Sequence, residues 1–220
     1  MNRLTGVLLG AALLAFLATT APAQTSDHHQ HRFSDAEKWA KVFDDPARDE
    51  WQKPDEVIRA LKLVPEARVA DIGAGTGYFA VRLARAVPRG QVYGVDAEPD
   101  MVRYLRERAK REGLANVTAV AAKPADPSLP TAVDLVILVD TYHHVPDRER
   151  YFRELKKALR PGGRLAIIDF TLDSPVGPPK GARIPAATVK QELARAGYAL
   201  AEEHGFLPNQ YFLVFRPAAN

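Results

Sequence analysis

The 220-residue chain contains no cysteine, which excludes disulfides, thiolate-held metals and thiol nucleophiles together. It also lacks a dominant charge. Thirty Lys and Arg face 27 Asp and Glu, and the resulting net charge of +3 is scattered along the chain. No basic arm or stripe of the kind that binds nucleic acid is present, so no nucleic-acid partner is expected. No internal repeat is visible, and long apolar runs are nearly absent. The single one, Leu4 to Leu17, is short for a bilayer core of about 30 Å. What remains, 46% hydrophobic and 26% charged residues, is the composition of one ordinary globular domain.

The apolar run has informative flanks. Asn2-Arg3 precedes it, and Ala21-Pro22-Ala23-Gln24 follows, with small residues at the two positions a signal peptidase reads. Residues 1–23 therefore read as a secretory signal cleaved after Ala23, which places the domain in the periplasm or medium without stable membrane insertion. The competing reading is a membrane anchor over residues 4–20, which also leaves the domain outside. Residues 24–33 are polar and aperiodic and read as a flexible leader. His28, His29 and His31 lie there; without a fixed fourth ligand they read as solvated chain, and no metal site is expected.

Residues 34–66 form an N-terminal helical segment, a candidate lid, opened by a capping-box spacing of Ser34 with Glu37 over a helix to Val42. Pro54 suits a helix first turn, with Val57, Ile58 and Leu61 on one face. From residue 67 to 220 strands and helices alternate. Strands are expected at Val69–Ile72, Val92–Asp96, Val117–Ala121, Val133–Val139 and Leu165–Phe170. Helices are expected at Tyr78–Val87, Pro99–Arg111, Arg148–Leu159 and Ala187–Ala196, and two strands in the tail from Tyr198 to Phe215. Strands apolar on both faces imply an α/β, Rossmann-like doubly wound sheet, mostly parallel with an antiparallel C-terminal strand and helices on both faces.

Chemistry concentrates where the first strand ends. Asp71-Ile72-Gly73-Ala74-Gly75-Thr76-Gly77 is a glycine turn between strand and helix, in which a ligand meets backbone without a side chain in the way. The helix start offers free N–H groups, and Asp96, ending the next strand, can accept both hydroxyls of a ribose. The glycine spacing is not the Gly-x-Gly-x-x-Gly of dinucleotide enzymes, which argues against a nicotinamide reductase. The segment from Val69 to Ala80 resembles motif I of class I S-adenosylmethionine (SAM)-dependent methyltransferases. Gly94-Val95-Asp96 with Met101, and Leu159-Arg160-Pro161-Gly162-Gly163-Arg164-Leu165, resemble further parts of that family.

The resemblance implies SAM as cofactor. Asp71, Gly73, Gly75 and Gly77 would hold its methionine end, Asp71 by pairing with the ammonium; Asp96 would hold the ribose, and Ala97 and Met101 would flank the adenine. An acid often found after the third strand is replaced by Ala122-Lys123-Pro124, so the adenine amino group would turn to Asp126 or to a backbone carbonyl. After the fourth strand, Asp140-Thr141-Tyr142-His143-His144 resembles the family's motif IV. Asp140 is a cofactor or substrate contact there, and His143 or His144, one of them oriented by Asp140, is a candidate general base. Both histidines also have a structural reading, as a helix cap or as packing on Tyr142. Trp39, Phe43, Trp51 and Tyr78 are candidates to line a pocket under the lid, or core. The expected function is methyl transfer to an unidentified small molecule; the alternative is an exported nucleoside- or SAM-binding protein without turnover. Oligomeric state is not legible.

Overall fold

The structure is a computed structural model that describes residues 34–123, 126 and 128–219. The signal, the leader and its histidines lie outside them. Seven strands form one sheet: β1 (Arg68–Ile72), β2 (Gln91–Asp96), β3 (Val117–Ala121), β4 (Val133–Val139), β5 (Leu159–Phe170), β6 (Tyr198–His204) and β7 (Gln210–Pro217). Their spatial order is β3-β2-β1-β4-β5-β7-β6. All pairings from β3 to β5 are parallel, and β7 runs antiparallel between β5 and β6.

Among the described residues seven α-helices accompany them: α1 (Ala36–Phe43), α2 (Arg48–Gln52), α3 (Pro54–Leu61), α4 (Ala80–Ala86), α5 (Pro99–Arg111), α6 (Arg148–Leu155) and α7 (Ala186–Arg195). Alternation along each strand splits the core between the two sheet faces. Val69, Ile137, Ile168 and Phe212 pack with α3 and α4, whereas Ala70, Val136, Ile167 and Leu213 pack with α6 and α7. The chain reverses its order between β1 and β4. In open α/β sheets such a switch opens a crevice at the carboxyl ends of the strands. No helix among the described residues is long and apolar enough to cross a membrane.

Three expected elements differ in detail. The first helix is capped by Asp35, at φ 71°, whose side chain accepts the Lys38 N–H; Ser34 is not the cap. Glu37 is drawn away from the chain by Arg103 of α5, at 2.9 Å, so the capping box never closes. The helix expected at Arg148–Leu159 stops at Leu155 and tightens into a 3₁₀ turn over Lys156–Ala158. Leu159 then pairs with Val133, because Pro161 keeps Arg160 out of helical geometry and the chain is already extended. The helix expected from Tyr78 begins only at Ala80, since the turn before it is committed elsewhere: Gly73 and Ala74 both donate to the Val95 carbonyl.

Candidate active site

The glycine turn is built by opposite demands at neighbouring positions. Gly73, at φ 75°, lies so close to Thr141 that a Cβ would overlap its side chain; this glycine lets the β1 turn meet the end of β4. Gly75, at φ 54°, would bring a Cβ into ordinary contact with the Phe43 ring, at 3.5 Å, without overlap. One glycine serves the fold, and the other lines a cradle that the Phe43 ring borders.

Acids ring this cradle. Asp71 is 3% exposed, and its Oδ2 has no hydrogen-bond partner. Burial, reinforced by the charge of Asp96, pushes its carboxyl up to about 7. Asp96 Oδ2 accepts the Gly75 N–H at 2.8 Å and its Oδ1 accepts the Glu98 N–H at 2.9 Å. These bonds hold the carboxylate flat against the turn and leave each oxygen a further lone pair. Burial also raises the Asp96 pKa. Thr76 Oγ1 is another buried polar atom without a partner. Met101 is buried at the start of α5 and Ala97 is exposed beside it. Asp126 lies at an exposed turn after β3, where its Oδ1 accepts the Ser128 N–H at 2.7 Å.

Asp140 adopts φ 54° and accepts hydrogen bonds from Arg48, at 2.9 Å, and from Gln210 Nε2. Burial lifts its carboxyl to about 7 although Arg48 pulls the other way. For His143, the expectation that Asp140 orients the imidazole is corrected. The left-handed turn commits its carboxylate to Arg48 and Gln210, and His143 is held by Asp169 at the end of β5. His143 Nδ1 lies 2.9 Å from Asp169 Oδ2, and its backbone N–H donates to the same oxygen at 3.2 Å. The His144 ring packs against it at a tilt of 42°, with centroids 4.1 Å apart.

Sequence reasoning missed Arg48, Gln52, Asp169 and Gln210. Gln52 is fully buried and donates to Gln210 at 2.6 Å, so α2 is tied to β7 under Asp140. The N-terminal segment is fastened to two helices that share one core cluster, α5 and α4. Arg108 of α5 binds Asp44 at 2.7 Å and the Thr76 carbonyl at 3.1 Å. Asp49 accepts from Tyr78, just before α4, and from Arg82 within it. Arg48 lies over the Tyr78 ring, 4.2 Å from its centroid. Trp39 stacks on Phe43 and Trp51 packs on Phe170; of the four aromatics only Tyr78 is core. Among the described residues no group of three His, Asp or Glu could hold a metal ion.

Comparison with known proteins points to one family. A trans-aconitate 2-methyltransferase of Rhodopseudomonas palustris is 34% identical over 145 residues, 64% of this chain and 52% of that protein. A demethylmenaquinone methyltransferase of Thermus thermophilus is 34% identical over 123 residues, 56% of this chain and 53% of that protein. The chain thus spans about half the length of these curated relatives. The crystal structure of a SAM-dependent methyltransferase from Aquifex aeolicus superimposes with a TM-score of 0.76 at 27% identity, covering 82% of this chain and 97% of that one. The family model described as a methyltransferase domain matches residues 63–203, from the end of α3 through β6, and with it the glycine turn, Asp96 and the β4 end. The chain belongs to this methyltransferase family.

Proposed function

We propose that the protein is a SAM-dependent methyltransferase acting on a small molecule. The observation that carries this reading is the cradle at Gly75, flanked by two acids with unused hydrogen-bonding capacity. Asp71 Oδ2 is a buried acceptor without a donor, which is costly unless a ligand supplies one. The SAM ammonium is such a donor. Asp96, held by Gly75 and Glu98, has lone pairs for two ribose hydroxyls. Gly73 and Gly77 shape the turn, and Ala97 and Met101 stand where an adenine would lie beyond Asp96. Asp126, engaged with Ser128, is a lesser candidate for the adenine amino group than a backbone carbonyl. Asp140 borders the same crevice and completes the negative surround.

When bound, SAM supplies a methyl group activated by a sulfonium. The chain's own part is to align an acceptor with that methyl and to exclude water. The segment of α1 and α2, folded over the crevice, suits the second task. Small-molecule acceptors are in keeping with the relatives named for trans-aconitate and demethylmenaquinone.

Asp96→Ala is expected to weaken SAM binding by about 1.5–3 kcal/mol, the range for hydrogen bonds to a charged group. Isothermal titration of the folded variant checks this; wild-type affinity would remove Asp96 from the site. No SAM binding by the wild-type protein would sink the whole reading.

Export is proposed on sequence alone. Protein recovered from a periplasmic or culture fraction is expected to begin at Gln24, read by N-terminal sequencing. Full-length chain found only in the cytoplasm would refute the signal.

A further inference from the structure

The groove between α3 and α4 gathers positive charge away from the crevice. It holds about 580 Å³ and is lined by Asp55, Ile58 and Arg59 of α3 and by Arg82, Arg85 and Ala86 of α4. That volume suits a small ligand, for which sites run from about 300 to 1,000 Å³. Arg82 and Arg85 stand three residues apart on α4 and so share one helix face. Half-buried Ile58 and Ala86 are the apolar part of the lining.

The three guanidiniums keep N–H groups to spare. Arg59 donates through Nε to the Asp55 carbonyl at 3.2 Å, and among the described residues no carboxylate pairs with it. Arg85 gives Nη2 to Glu112 at 2.5 Å. Arg82 gives Nη1 to the Tyr78 carbonyl at 2.8 Å and Nη2 to both oxygens of Asp49, at 3.0 and 3.1 Å, which leaves its Nε–H. The carboxylates of Asp49 and Glu112 do not line the groove, and the exposure of these pairs, 48% at Asp49 and 58% at Arg85, makes each a weak competitor for a ligand. Asp55 is the single acid in the lining. Planar guanidinium forks match pairs of phosphate oxygens, which are smaller and more highly charged than a carboxylate's surroundings allow here.

Arg82 also links the groove to the N-terminal segment. Its partner Asp49 belongs to α2, whose adjacent Arg48 binds Asp140 at the crevice. A phosphate at Arg82 competes with Asp49 for the guanidinium, and repels the carboxylate even where the bridge survives. Asp49 keeps the Tyr78 hydroxyl, so α2 is loosened and not released.

We propose that the α3–α4 groove is a second binding site, for a phosphate-bearing molecule, and that its occupancy loosens α2 through the pair of Arg82 with Asp49. The site stands on its own residues; its effect on the crevice rests on the SAM-dependent reading above. Occupancy lowers SAM affinity, and by reciprocity SAM lowers the affinity of the groove for its ligand.

Inorganic pyrophosphate is the probe, titrated calorimetrically into the full chain at constant ionic strength. Saturable binding at one site per chain is expected. Arg59→Ser and Arg85→Ser should each weaken it about tenfold, since each removes hydrogen bonds between charged groups. Arg153→Ser, which takes the same charge from α6, should leave it unchanged; an equal loss there would reduce the binding to net-charge attraction and overturn the site. Asp49→Asn should tighten pyrophosphate several-fold, because the competing carboxylate is gone, and no tightening would overturn the link to α2. All four residues are exposed, so the variants should fold.

Vesicles of phosphatidylglycerol in phosphatidylcholine separate two sources of the phosphate. Sedimentation with them that Arg59→Ser reduces makes it a lipid headgroup; binding of pyrophosphate without that effect makes the ligand soluble. Binding of neither probe overturns the proposal. With pyrophosphate saturating, the Kd for SAM should rise several-fold in the wild type and stay level in Asp49→Asn. A SAM affinity indifferent to pyrophosphate refutes the coupling. Failure of the wild type to bind SAM is a separate failure, that of the cofactor reading, because the pyrophosphate titrations are made without SAM.

Discussion

Asp71→Asn is expected to make the ligand-free protein more stable and, at the same time, unable to hold its cofactor. The carboxyl sits at about 7 in the fold against an ordinary 3.8, chiefly because it is buried and secondarily because Asp96 is charged. A raised pKa means that the folded state favours the neutral acid. The stability this provides is complete below about pH 3.8, declines as pH rises towards 7, and is gone above it. At about 1.4 kcal/mol per unit, the ionised carboxylate costs on the order of 4–5 kcal/mol at most. Asparagine keeps the shape and has no charge to bury. Thermal unfolding should therefore show the variant above wild type at pH 8 and level with it near pH 4. A gap independent of pH would mean that Asp71 is not buried as a charge. Titration with SAM should show the opposite sign, since the ammonium loses its counter-ion. The wild-type residue is then a site kept at the expense of the fold.

The second large effect separates two glycines that the sequence presents as equals. Gly73→Val is expected to destabilise the protein severely, by several kcal/mol, because the side chain would enter Thr141 from a left-handed backbone. Gly75→Val should fold, with a backbone strain of roughly 1–2 kcal/mol and a contact with Phe43 that can give way. Its branched side chain fills the cradle, so SAM binding should drop below detection. Circular dichroism melting and calorimetric titration on the same pair of variants check both halves. A stable Gly73→Val, or a Gly75→Val that binds SAM normally, would contradict the division of labour.

The sheet was legible because its strands are apolar runs separated by helices of clear periodicity; Pro99–Arg111 and Val133–Val139 have the extents expected for them. The glycine turn and the place of Asp96 at the end of the next strand were legible because a strand-to-helix turn of this form needs particular residues at fixed spacing. Asp169 was not. It sits within Leu165–Phe170, where its neighbours announce a buried strand and nothing signals that one position ends at the crevice. Arg48 was hidden for a different reason. Its helix has five residues, too few for any periodicity, and its partner Asp140 is 92 positions away. Contacts of that reach depend on how the N-terminal segment folds back, and no local pattern encodes them.

The carboxylates at the ends of β1, β2, β4 and β5 have a bearing on traffic through the site. Asp71, Asp96, Asp140 and Asp169 are gathered at one edge, where the nearest fixed counter-charge is Arg48. SAM carries a sulfonium beside its ammonium, and methyl transfer turns that sulfonium into a neutral thioether. On the proposed reading, an edge this acidic would hold the arriving ligand by one positive charge more than the departing one. Its grip would then slacken at the moment the chemistry is done, and turnover would gain a direction from electrostatics alone. Added salt should accordingly weaken SAM more steeply than S-adenosylhomocysteine, which leaves product inhibition worst when ionic strength is high.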